Sequence, residues 1–236
     1  MVFLDGDMEV EPGFVAGHAV LHGDGETVVL GDIRTAPELP RTAFVEYIDT
    51  RGVQKIPPGE AIPARYFMTG NSSVGRPLLE RAGGFDEEFD EYGGEDTEMG
   101  YRLQAHGGKF RHGTGLVSWH LDLNSVPRMA ERLRRYGERM VPLLVRKAPP
   151  ARDDLGLPWI EPPDLGRDSA ALLFRKLVAR VVCRRLFWAP AARIADRLPA
   201  GLGLRMSFLF DFVRVAAYLD GYRRTLPSGR TGEGGR

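Results

Sequence analysis

The sequence predicts an α/β protein that continues into a helical C-terminal part. Short runs of apolar and β-branched residues alternate with helix-like segments as far as about residue 125. Beyond that point the apolar residues follow helical spacing. The chain has 236 residues, 43% of them hydrophobic, which is enough to bury the core of one large domain and an extension.

Local patterns predict the individual elements in chain order. Apolar runs bounded by turn residues predict strands at residues 2–4, 27–30, 66–68, 109–111 and 116–119. Helical spacing, with glycine pairs as stop signals, predicts helices at residues 12–21, 41–50, 76–82, 96–105, 128–147, 170–188 and 204–219. Five prolines mark residues 34–64 as an irregular excursion, and such long loops often carry function.

Charge divides the chain near the same point. Residues 1–125 hold 10 basic and 21 acidic side chains, whereas residues 126–236 hold 22 basic and 11 acidic ones. The acidic half can attract metal ions and the basic half phosphates, acidic lipids or nucleic acid, or the two halves can pair with each other or be solvated separately. Beyond residue 125 we distinguish a basic helix with a proline-rich wrapping segment at 126–167, an amphipathic helical extension at 168–226 and a disordered tail at 227–236.

The first predicted strand ends in two carboxylates. Residues 2–4 read Val-Phe-Leu, as in a buried strand, and Asp5, Gly6 and Asp7 follow. Open α/β sheets bind ligands at the carboxyl ends of their strands, and a pair of carboxylates there can hold a hard divalent cation. Asp-Gly-Asp is equally an ordinary turn sequence, so this pair alone leaves both interpretations open.

A second acidic segment is more specific. The glycine pair Gly83-Gly84 and the pair Gly93-Gly94 flank a run of acidic residues, and Glu95 and Asp96 follow where a helix is predicted to begin. Carboxylates at a helix N-terminus are stabilised as anions, and an anionic carboxylate in a cleft can act as a general base. The alternative is that Glu95 and Asp96 only cap the helix.

His120 ends the last predicted strand of the acidic half. A lone histidine is more often a hydrogen-bonded structural residue than a ligand. Imidazole is nevertheless a good ligand for ions such as Mn²⁺, and together with Asp5 and Asp7 it would make a mixed oxygen and nitrogen site.

These segments occur in an order that resembles a known family. Phe-Leu-Asp-Gly-Asp, Thr-Gly-Asn-Ser-Ser, Gly-Gly-Phe-Asp-Glu, Gly-Gly-Glu-Asp-Thr-Glu and Trp-His follow one another between residues 3 and 120. The pattern resembles the C-terminal half of glycosyltransferase family 2 catalytic domains, including the galactosyltransferase-like C-terminal module, and it covers residues 1–125. The resemblance implies a partial GT-A fold, which is a Rossmann-like, mostly parallel sheet with flanking helices.

The resemblance also implies a reaction and its residues. The reaction would be inverting, metal-dependent transfer of a hexose from a nucleotide-diphosphate sugar to a hydroxyl of a glycan or lipid-linked acceptor, as in bacterial glycan biosynthesis. Mn²⁺ or Mg²⁺ would be the metal. The implied roles are metal and diphosphate binding for Asp5 and Asp7, completion of the metal site for His120, donor-sugar binding for Gly70, Asn71 and Ser72, the catalytic base for Asp96, and the acceptor site for Glu95.

In that family the strand that carries the two aspartates lies near the middle of the domain. A preceding half supplies the first strands and the nucleotide-base pocket, and we find no counterpart of it before residue 2. We therefore expect a chain that is truncated or completed by a partner, that exposes apolar surface beside its first strand, and that binds nucleotide-sugar poorly alone.

Residues 170–188 predict a basic amphipathic helix. Lys176, Arg180 and Arg184 recur every four residues beside an apolar stripe. Such a helix can lie on an anionic membrane surface, or its apolar face can pack on the catalytic domain. Nucleic-acid binding is not expected, because the arginines lack interleaved aromatic residues and no binding motif is found.

Cysteine usage and the N-terminal sequence favour a cytoplasmic protein. The prediction also allows peripheral attachment of this protein to the inner membrane face. The single cysteine, Cys183, cannot form an internal disulfide, and no signal-peptide pattern is found. Two rival functions stay open at this point. One is a non-catalytic remnant or membrane-associated accessory protein of the same fold. The other is a phosphotransferase or hydrolase with Asp5 as nucleophile, which would need further motifs that we do not find.

Overall fold

A computed structural model describes residues 1–23, 25–57 and 60–227. The strands are Val2–Phe3 (β1), Met8–Val10 (β2), Thr27–Thr35 (β3), Ser72–Val74 (β4) and Lys109–His120 (β5). The helices are Phe14–Leu21 (α1), Ala43–Ile48 (α2), Arg76–Ala82 (α3), Glu95–Ala105 (α4), Val126–Arg139 (α5), Val141–Lys147 (α6), Ala151–Asp154 (α7), Ala170–Val182 (α8), Arg185–Asp196 (α9) and Ser207–Arg223 (α10). Short 3₁₀ turns cover Gly52–Lys55, Ala64–Tyr66, Thr69–Asn71 and Leu157–Trp159.

The five strands form one sheet in the order β1-β4-β3-β5-β2. The predicted α/β class, with flanking helices and a helical C-terminal part, is confirmed. The pairing is less parallel than expected, because β3 and β5 form the one parallel pair of neighbours among the described strands, and the other three pairs are antiparallel. Parallel neighbours need a long crossover, and the connection from β3 to β5 contains α3 and α4.

Two strand predictions were wrong in detail. Tyr66 ends one 3₁₀ turn, residues 67–68 lie between it and the next, and the strand begins only at Ser72. With two serines and one valine, β4 has a weak β-propensity signal, yet it is fully buried between β1 and β3. The first strand was predicted to be buried, but β1 forms one edge of the sheet, and Val2 and Leu4 are more than a third exposed.

The predicted strands at 109–111 and 116–119 form one strand with a break. Gly31 of β3 pairs with Gly113 of β5, and the next residue, Asp32, pairs with Val117. Three residues of β5 are therefore looped out of the ladder. Such an interruption leaves backbone groups without a partner in the sheet, and buried backbone groups need one.

The side chain of Asn71 supplies the missing partners. Its amide nitrogen donates to the carbonyl of Asp32 at 3.1 Å and to that of Leu116 at 2.8 Å, one on each side of the break. Its Oδ1 accepts from Nε2 of His18 at 3.1 Å. A Cβ on Gly31 would stand 2.2 Å from that oxygen, so only glycine leaves room for the amide.

The chain has two main hydrophobic cores. The first lies between the sheet and helices α3 and α4, and includes Val28, Leu30, Phe67, Leu78, Met99 and Leu103. The second joins α5, α9 and α10 with α2, and includes Tyr47, Val126, Trp188, Phe210 and Val213. The C-terminal helices therefore pack on the excursion that follows β3.

Three predicted C-terminal elements differ from the structure. The helix predicted at 128–147 ends at Arg139 and restarts at Val141, with Pro142 in its first turn, where a missing N–H is tolerated. The helix predicted at 170–188 breaks at Cys183 and Arg184 into α8 and α9. The proline-rich segment is partly helical and buries Leu157 and Ile160 in the second core. The predicted tail, apart from Pro227, lies outside the described residues.

The acidic and basic halves are joined by ion pairs. Lys147 at the end of α6 contacts Asp86 at 2.7 Å and also Glu88, and Arg146 contacts Glu88 at 2.9 Å. Part of the acidic run between the glycine pairs thus holds α6. Of the alternatives for the charge asymmetry, pairing between the two halves is observed.

A buried ion pair holds the first glycine pair. Arg102 of α4 binds both carboxylate oxygens of Glu98 at 2.6 Å, and Glu98 is buried. The same guanidinium donates to the carbonyls of Ala82 at 2.5 Å and Gly84 at 2.6 Å. A bidentate, fully hydrogen-bonded pair of this kind fixes geometry, and here it fixes the end of α3 against α4.

Within residues 1–23, 25–57 and 60–227, no helix combines the length and apolar character needed to cross a bilayer.

Replacing Asn71 should destabilise the fold more than replacing its buried neighbour. Asn71→Ala leaves the carbonyls of Asp32 and Leu116 without their donor, and each buried unsatisfied group costs about 1–3 kcal/mol. We expect the free energy of unfolding in urea to fall by about 3 kcal/mol.

Ser72→Ala is the matched control. Ser72 is also buried, but its Oγ has no hydrogen-bond partner among the described residues. We expect this change to be neutral or slightly stabilising. Equal destabilisation by the two changes would contradict the role given to the Asn71 amide.

Candidate functional site

Asp5 and Asp7 lie on the turn between β1 and β2. The backbone of Met8 donates to the carbonyl of Asp5 at 3.3 Å, and Leu121 donates to the carbonyl of Asp7 at 3.0 Å. Met8 also pairs with His120 in the β2–β5 ladder. The turn is therefore held against the end of β5 by backbone bonds.

This register brings His120 to Asp7. Nε2 of His120 lies 3.5 Å from Oδ2 of Asp7. Nδ1 of the same ring lies 2.8 Å from the carbonyl of Asp122, which is the kind of second contact that fixes the orientation of a ligating histidine.

Asp5 faces the 3₁₀ turn Thr69–Asn71. A Cβ on Gly70 would stand 3.1 Å from Oδ2 of Asp5 and 2.9 Å from Cδ1 of Ile33. The carbonyl of Gly70 accepts from Oγ of Ser118 at 3.2 Å. A side chain at position 70 would therefore crowd the Asp5 carboxylate and the end of the Ile33 side chain.

The other end of the same turn holds Asp96. Oδ2 of Asp96 accepts from the backbone nitrogen of Thr69 at 3.2 Å and from its hydroxyl at 3.4 Å. Oδ1 is buried and has no partner among the described residues. Burial raises the pKa of Asp96 to about 6, the bonds from Thr69 oppose this rise, and the negative charges of Glu95 and Asp5 add to it.

Glu95 and Asp96 begin α4 as predicted, directly after two glycines in left-handed conformations. Gly93 has φ of 95° and Gly94 φ of 101°, values that favour glycine. A Cβ on Gly93 would stand 2.8 Å from Cδ2 of Tyr136, and one on Gly94 would stand 3.0 Å from Cε1 of Phe89. The glycine pair is therefore required by both conformation and packing.

Asn71 and Ser72, which were predicted to bind the donor sugar, both have side chains inside the fold. The Asn71 side chain is fully used inside the fold, and Ser72 is buried within β4. His18 must donate to Asn71 Oδ1 through Nε2, so its Nδ1 accepts from the hydroxyl of Ser73 at 2.8 Å. Burial lowers the pKa of His18, which keeps this ring neutral. If Asn71 contacts the donor sugar, as predicted, it would do so through its backbone and not through its side chain.

A cavity of about 910 Å³ opens beside this turn. Its wall includes Asp5, Asp7, Asn71, His120 and Tyr92, together with six arginines: Arg34, Arg51, Arg65, Arg128, Arg132 and Arg214. Glu95 and Asp96 do not reach that wall. The volume suits a ligand larger than a monosaccharide, since small-molecule sites typically measure about 300–1,000 Å³.

The predicted metal ligands meet the requirements of a divalent cation only in part. Asp7 and His120 face each other and would supply one carboxylate and one imidazole. In the described part of the chain, no three His, Cys, Asp or Glu side chains converge on one point. A metal held by Asp7 and His120 would therefore need oxygen ligands from a substrate and water, which is usual for Mg²⁺ bound with phosphates.

Sequence reasoning missed two groups of site residues. Thr69 carries no local signal for its bonds to Asp96. Arg128 and Arg132 are four apart on a predicted helix, a spacing that places them on one face. Arg51 and Arg214 are far apart in sequence, and only the packing of α10 on α2 brings them to one wall.

A comparison with protein families matches residues 55–124 to a family described as the N-terminal domain of galactosyltransferase. The sequence is also similar to chondroitin synthase of Escherichia coli, with 48% identity over 58 residues, which are 25% of this chain and 8% of that protein. Chondroitin synthase of Pasteurella multocida (strain Pm70) is 38% identical over 97 residues, covering 39% of this chain and 10% of that protein.

A further relative is validoxylamine A glucosyltransferase of Streptomyces hygroscopicus subsp. jinggangensis (strain 5008), with 52% identity over 46 residues, covering 20% of this chain and 11% of that protein. The chain thus spans about a tenth of the length of these relatives. The relatives are named as a glucosyltransferase or as chondroitin synthases. The segment matched by the family model contains the Gly-Gly-Glu-Asp helix start. The matched part of the chain is therefore similar to part of glycosyltransferases of the family 2 type.

Proposed function

We propose that this chain takes part in inverting, metal-dependent transfer of a hexose from a nucleotide-diphosphate sugar to a hydroxyl of a glycan or lipid-linked acceptor. The observation that carries the proposal is the position of the turn Thr69–Asn71, which lies beside the Asp5 carboxylate at Gly70 and bonds to Asp96 at Thr69. It joins the predicted metal-binding end of the chain to the predicted base.

In this proposal Asp7 and His120 hold Mn²⁺ or Mg²⁺ together with the donor diphosphate, and Asp5 and Gly70 line the donor side. The cation, when bound, neutralises charge on the departing nucleoside diphosphate. Asp96 accepts the proton of the acceptor hydroxyl as the oxygen bonds to the anomeric carbon and the bond to the diphosphate oxygen breaks. Glu95 lies beside Asp96 on the acceptor side.

The elevated pKa of Asp96 suits a general base. A base with a pKa of about 6 is deprotonated at neutral pH and accepts a proton more readily than an ordinary aspartate. A carboxyl group whose pKa is raised on folding holds its proton more tightly in the folded state. The carboxylate therefore costs stability as the pH rises from about 4 to about 6.

A non-catalytic protein of the same fold is the second candidate. It is favoured by the position of Asp96 and Glu95 away from the cavity wall and by the two-residue metal site. The following experiment distinguishes the two candidates.

Hydrolysis of the nucleotide-sugar donor and transfer of its sugar should require both the metal-binding residue Asp7 and the base Asp96. We expect Mn²⁺-dependent activity to rise with pH as Asp96 loses its proton, with a midpoint below about 6 because the bound cation lowers its pKa. Activity should fall at least 100-fold in Asp96→Asn and similarly in Asp7→Ala. The measurement is release of nucleoside diphosphate with and without a chelator across pH 5–8.

Asp96→Asn should fold, because the change removes a carboxylate that burial disfavours. Above pH 6 its free energy of unfolding should exceed that of the original chain by about 1–3 kcal/mol. The exposed Asp90 lies in the same acidic run, and Asp90→Asn is the matched control for activity and stability. Metal-dependent activity that is unchanged in both Asp7→Ala and Asp96→Asn would refute the site assignment, and absence of activity in the unaltered chain would favour the non-catalytic candidate.

We also propose that α8 contacts an anionic membrane surface, as its sequence suggests. The helix presents Phe174, Leu177, Val178 and Val181 to solvent, all more than a third exposed. Lys176 points the other way: it is buried and bonds to Asp168 at 2.5 Å and to the carbonyl of Pro162 at 3.0 Å. The arginines of the helix stay near the surface, where they could meet lipid phosphates.

Removing two apolar side chains should weaken this contact. We expect the double change Phe174→Gln and Leu177→Gln to reduce co-sedimentation with liposomes that contain phosphatidylglycerol, because the apolar face no longer enters the interface. The matched control is Val15→Gln with Val20→Gln, since both valines are exposed on α1. Pelleting that is independent of anionic lipid, or equal in both double variants, would contradict the membrane proposal.

A further inference from the structure

One wall of the cavity carries more positive than negative charge. Of the six arginines that line it, Arg34 contacts Asp32 at 3.5 Å and Arg65 contacts Asp154 at 2.9 Å. Arg51 lies 3.8 Å from the carboxylate of Asp211, and Arg214 is linked to that carboxylate through the hydroxyl of Tyr47. These two arginines are therefore less closely paired with carboxylates than Arg34 and Arg65 are.

The two guanidinium groups converge on Tyr47. Arg51 lies over the face of the Tyr47 ring, 4.1 Å from its centre. The nearest guanidinium nitrogen of Arg214 lies 3.0 Å from the Tyr47 hydroxyl and donates to it, and that hydroxyl donates to Asp211 at 2.5 Å. Because Tyr47 is fully buried, it holds both arginines at fixed positions.

The charges of this cluster do not balance. Asp211 is 3.8 Å from Arg51, and within the described residues Arg214 has no carboxylate within 4.0 Å. Nε of Arg51 is buried and lacks a hydrogen-bond acceptor in the described part of the chain. A buried donor without an acceptor is costly and rare in folded proteins.

Lys55 adds a third cation nearby. Burial lowers the pKa of Lys55, and the positive charges of Arg51 and Arg214 lower it further, while Asp211 acts in the opposite direction. The two arginines of the cluster therefore share one nearby carboxylate, that of Asp211. A bound anion would relieve this repulsion and provide the acceptor that Arg51 lacks.

We propose that Arg51 and Arg214 bind an anionic group of the acceptor, a carboxylate or a phosphate. Arginine forks match the geometry of both groups. Gln54 also lines this wall and can donate or accept hydrogen bonds beside the anion. The inference rests on the proposed function and adds to it the class of the acceptor.

We assign the bound anion to the acceptor and not to the donor because of the elements that carry the two arginines. Arg51 is in the excursion between β3 and β4, and Arg214 is on α10. The donor diphosphate is assigned to Asp7 and His120 on the turn after β1 and at the end of β5. The two positions belong to different elements of one cavity wall.

An acidic acceptor could carry its charge on a uronic acid or on a lipid diphosphate. Three probes separate these sources: a glucuronate-containing tetrasaccharide, the same tetrasaccharide with its carboxyl groups reduced, and geranyl diphosphate. Binding to the full chain, without donor, is measured by calorimetry. We expect one of the two acidic probes to bind at least tenfold more tightly than the reduced one.

Four variants test the residues. We expect Arg51→Gln and Arg214→Gln each to weaken binding of the acidic probe at least tenfold, because each removes one guanidinium. Asp211→Asn should tighten it severalfold, because it removes the competing carboxylate and keeps an acceptor for Tyr47. Loss of folding cannot produce such a gain. Arg167→Gln, at an arginine whose side chain is 90% exposed, should change nothing.

The inference would be overturned by equal binding of the acidic and reduced probes, by binding that Arg51→Gln and Arg214→Gln leave unchanged, or by weaker binding in Asp211→Asn. Its failure is distinguishable from that of the proposed function. If the anion binds with this variant pattern while donor hydrolysis is unchanged in Asp7→Ala and Asp96→Asn, the anion site stands and the roles proposed for Asp7 and Asp96 are refuted. If instead the acidic and reduced probes bind equally while hydrolysis is lost in Asp7→Ala and Asp96→Asn, the proposed function stands and the anion site is refuted.

Discussion

The Asn71 amide is the interaction on which the candidate site depends. The β3–β5 ladder breaks after Gly31, and the looped-out residues leave two buried carbonyls that the ladder cannot satisfy. One side-chain amide bonds to both and to His18 as well. Because all its hydrogen-bonding groups are used, it fixes the adjoining turn in position. Gly70 and Thr69 of that turn are the residues that touch Asp5 and Asp96.

The same turn determines the electrostatics of the carboxylates. Thr69 provides the only bonds to Asp96 among the described residues, and they offset part of the cost of burying its charge. Asp5, on the other side of the turn, is close enough to raise the pKa of Asp96. A cation bound near Asp5 and Asp7 would lower that pKa by the same route. In the proposed function, metal binding would therefore change the proton affinity of the base, because the turn holds Asp5 and Asp96 near each other.

The sequence alone predicted the features that local chemistry determines. The glycine pairs at 83–84 and 93–94 indicated where α3 ends and α4 begins, since positive φ angles require glycine. It could not show that β4 begins at Ser72, because that strand is defined by its two neighbours in the sheet and not by propensity. Helical spacing also placed Lys176 with the basic residues of 170–188, although its pairing with Asp168 turns it inward. The arginines that line the cavity come from distant segments, so only tertiary contacts bring them together.

The division of charge at residue 125 gains a physical meaning from these contacts. The acidic half supplies the carboxylates of the turn, and the basic half supplies Arg128, Arg132 and Arg214 to the same cavity. Ion pairs such as Lys147 with Asp86 hold the halves together, while the second core buries Tyr47 against α10. The packing of α5 and α10 brings these three arginines to a wall that Arg34, Arg51 and Arg65 of the acidic half also line. The helical extension is thus a wall of the site as well as an appendage to the sheet.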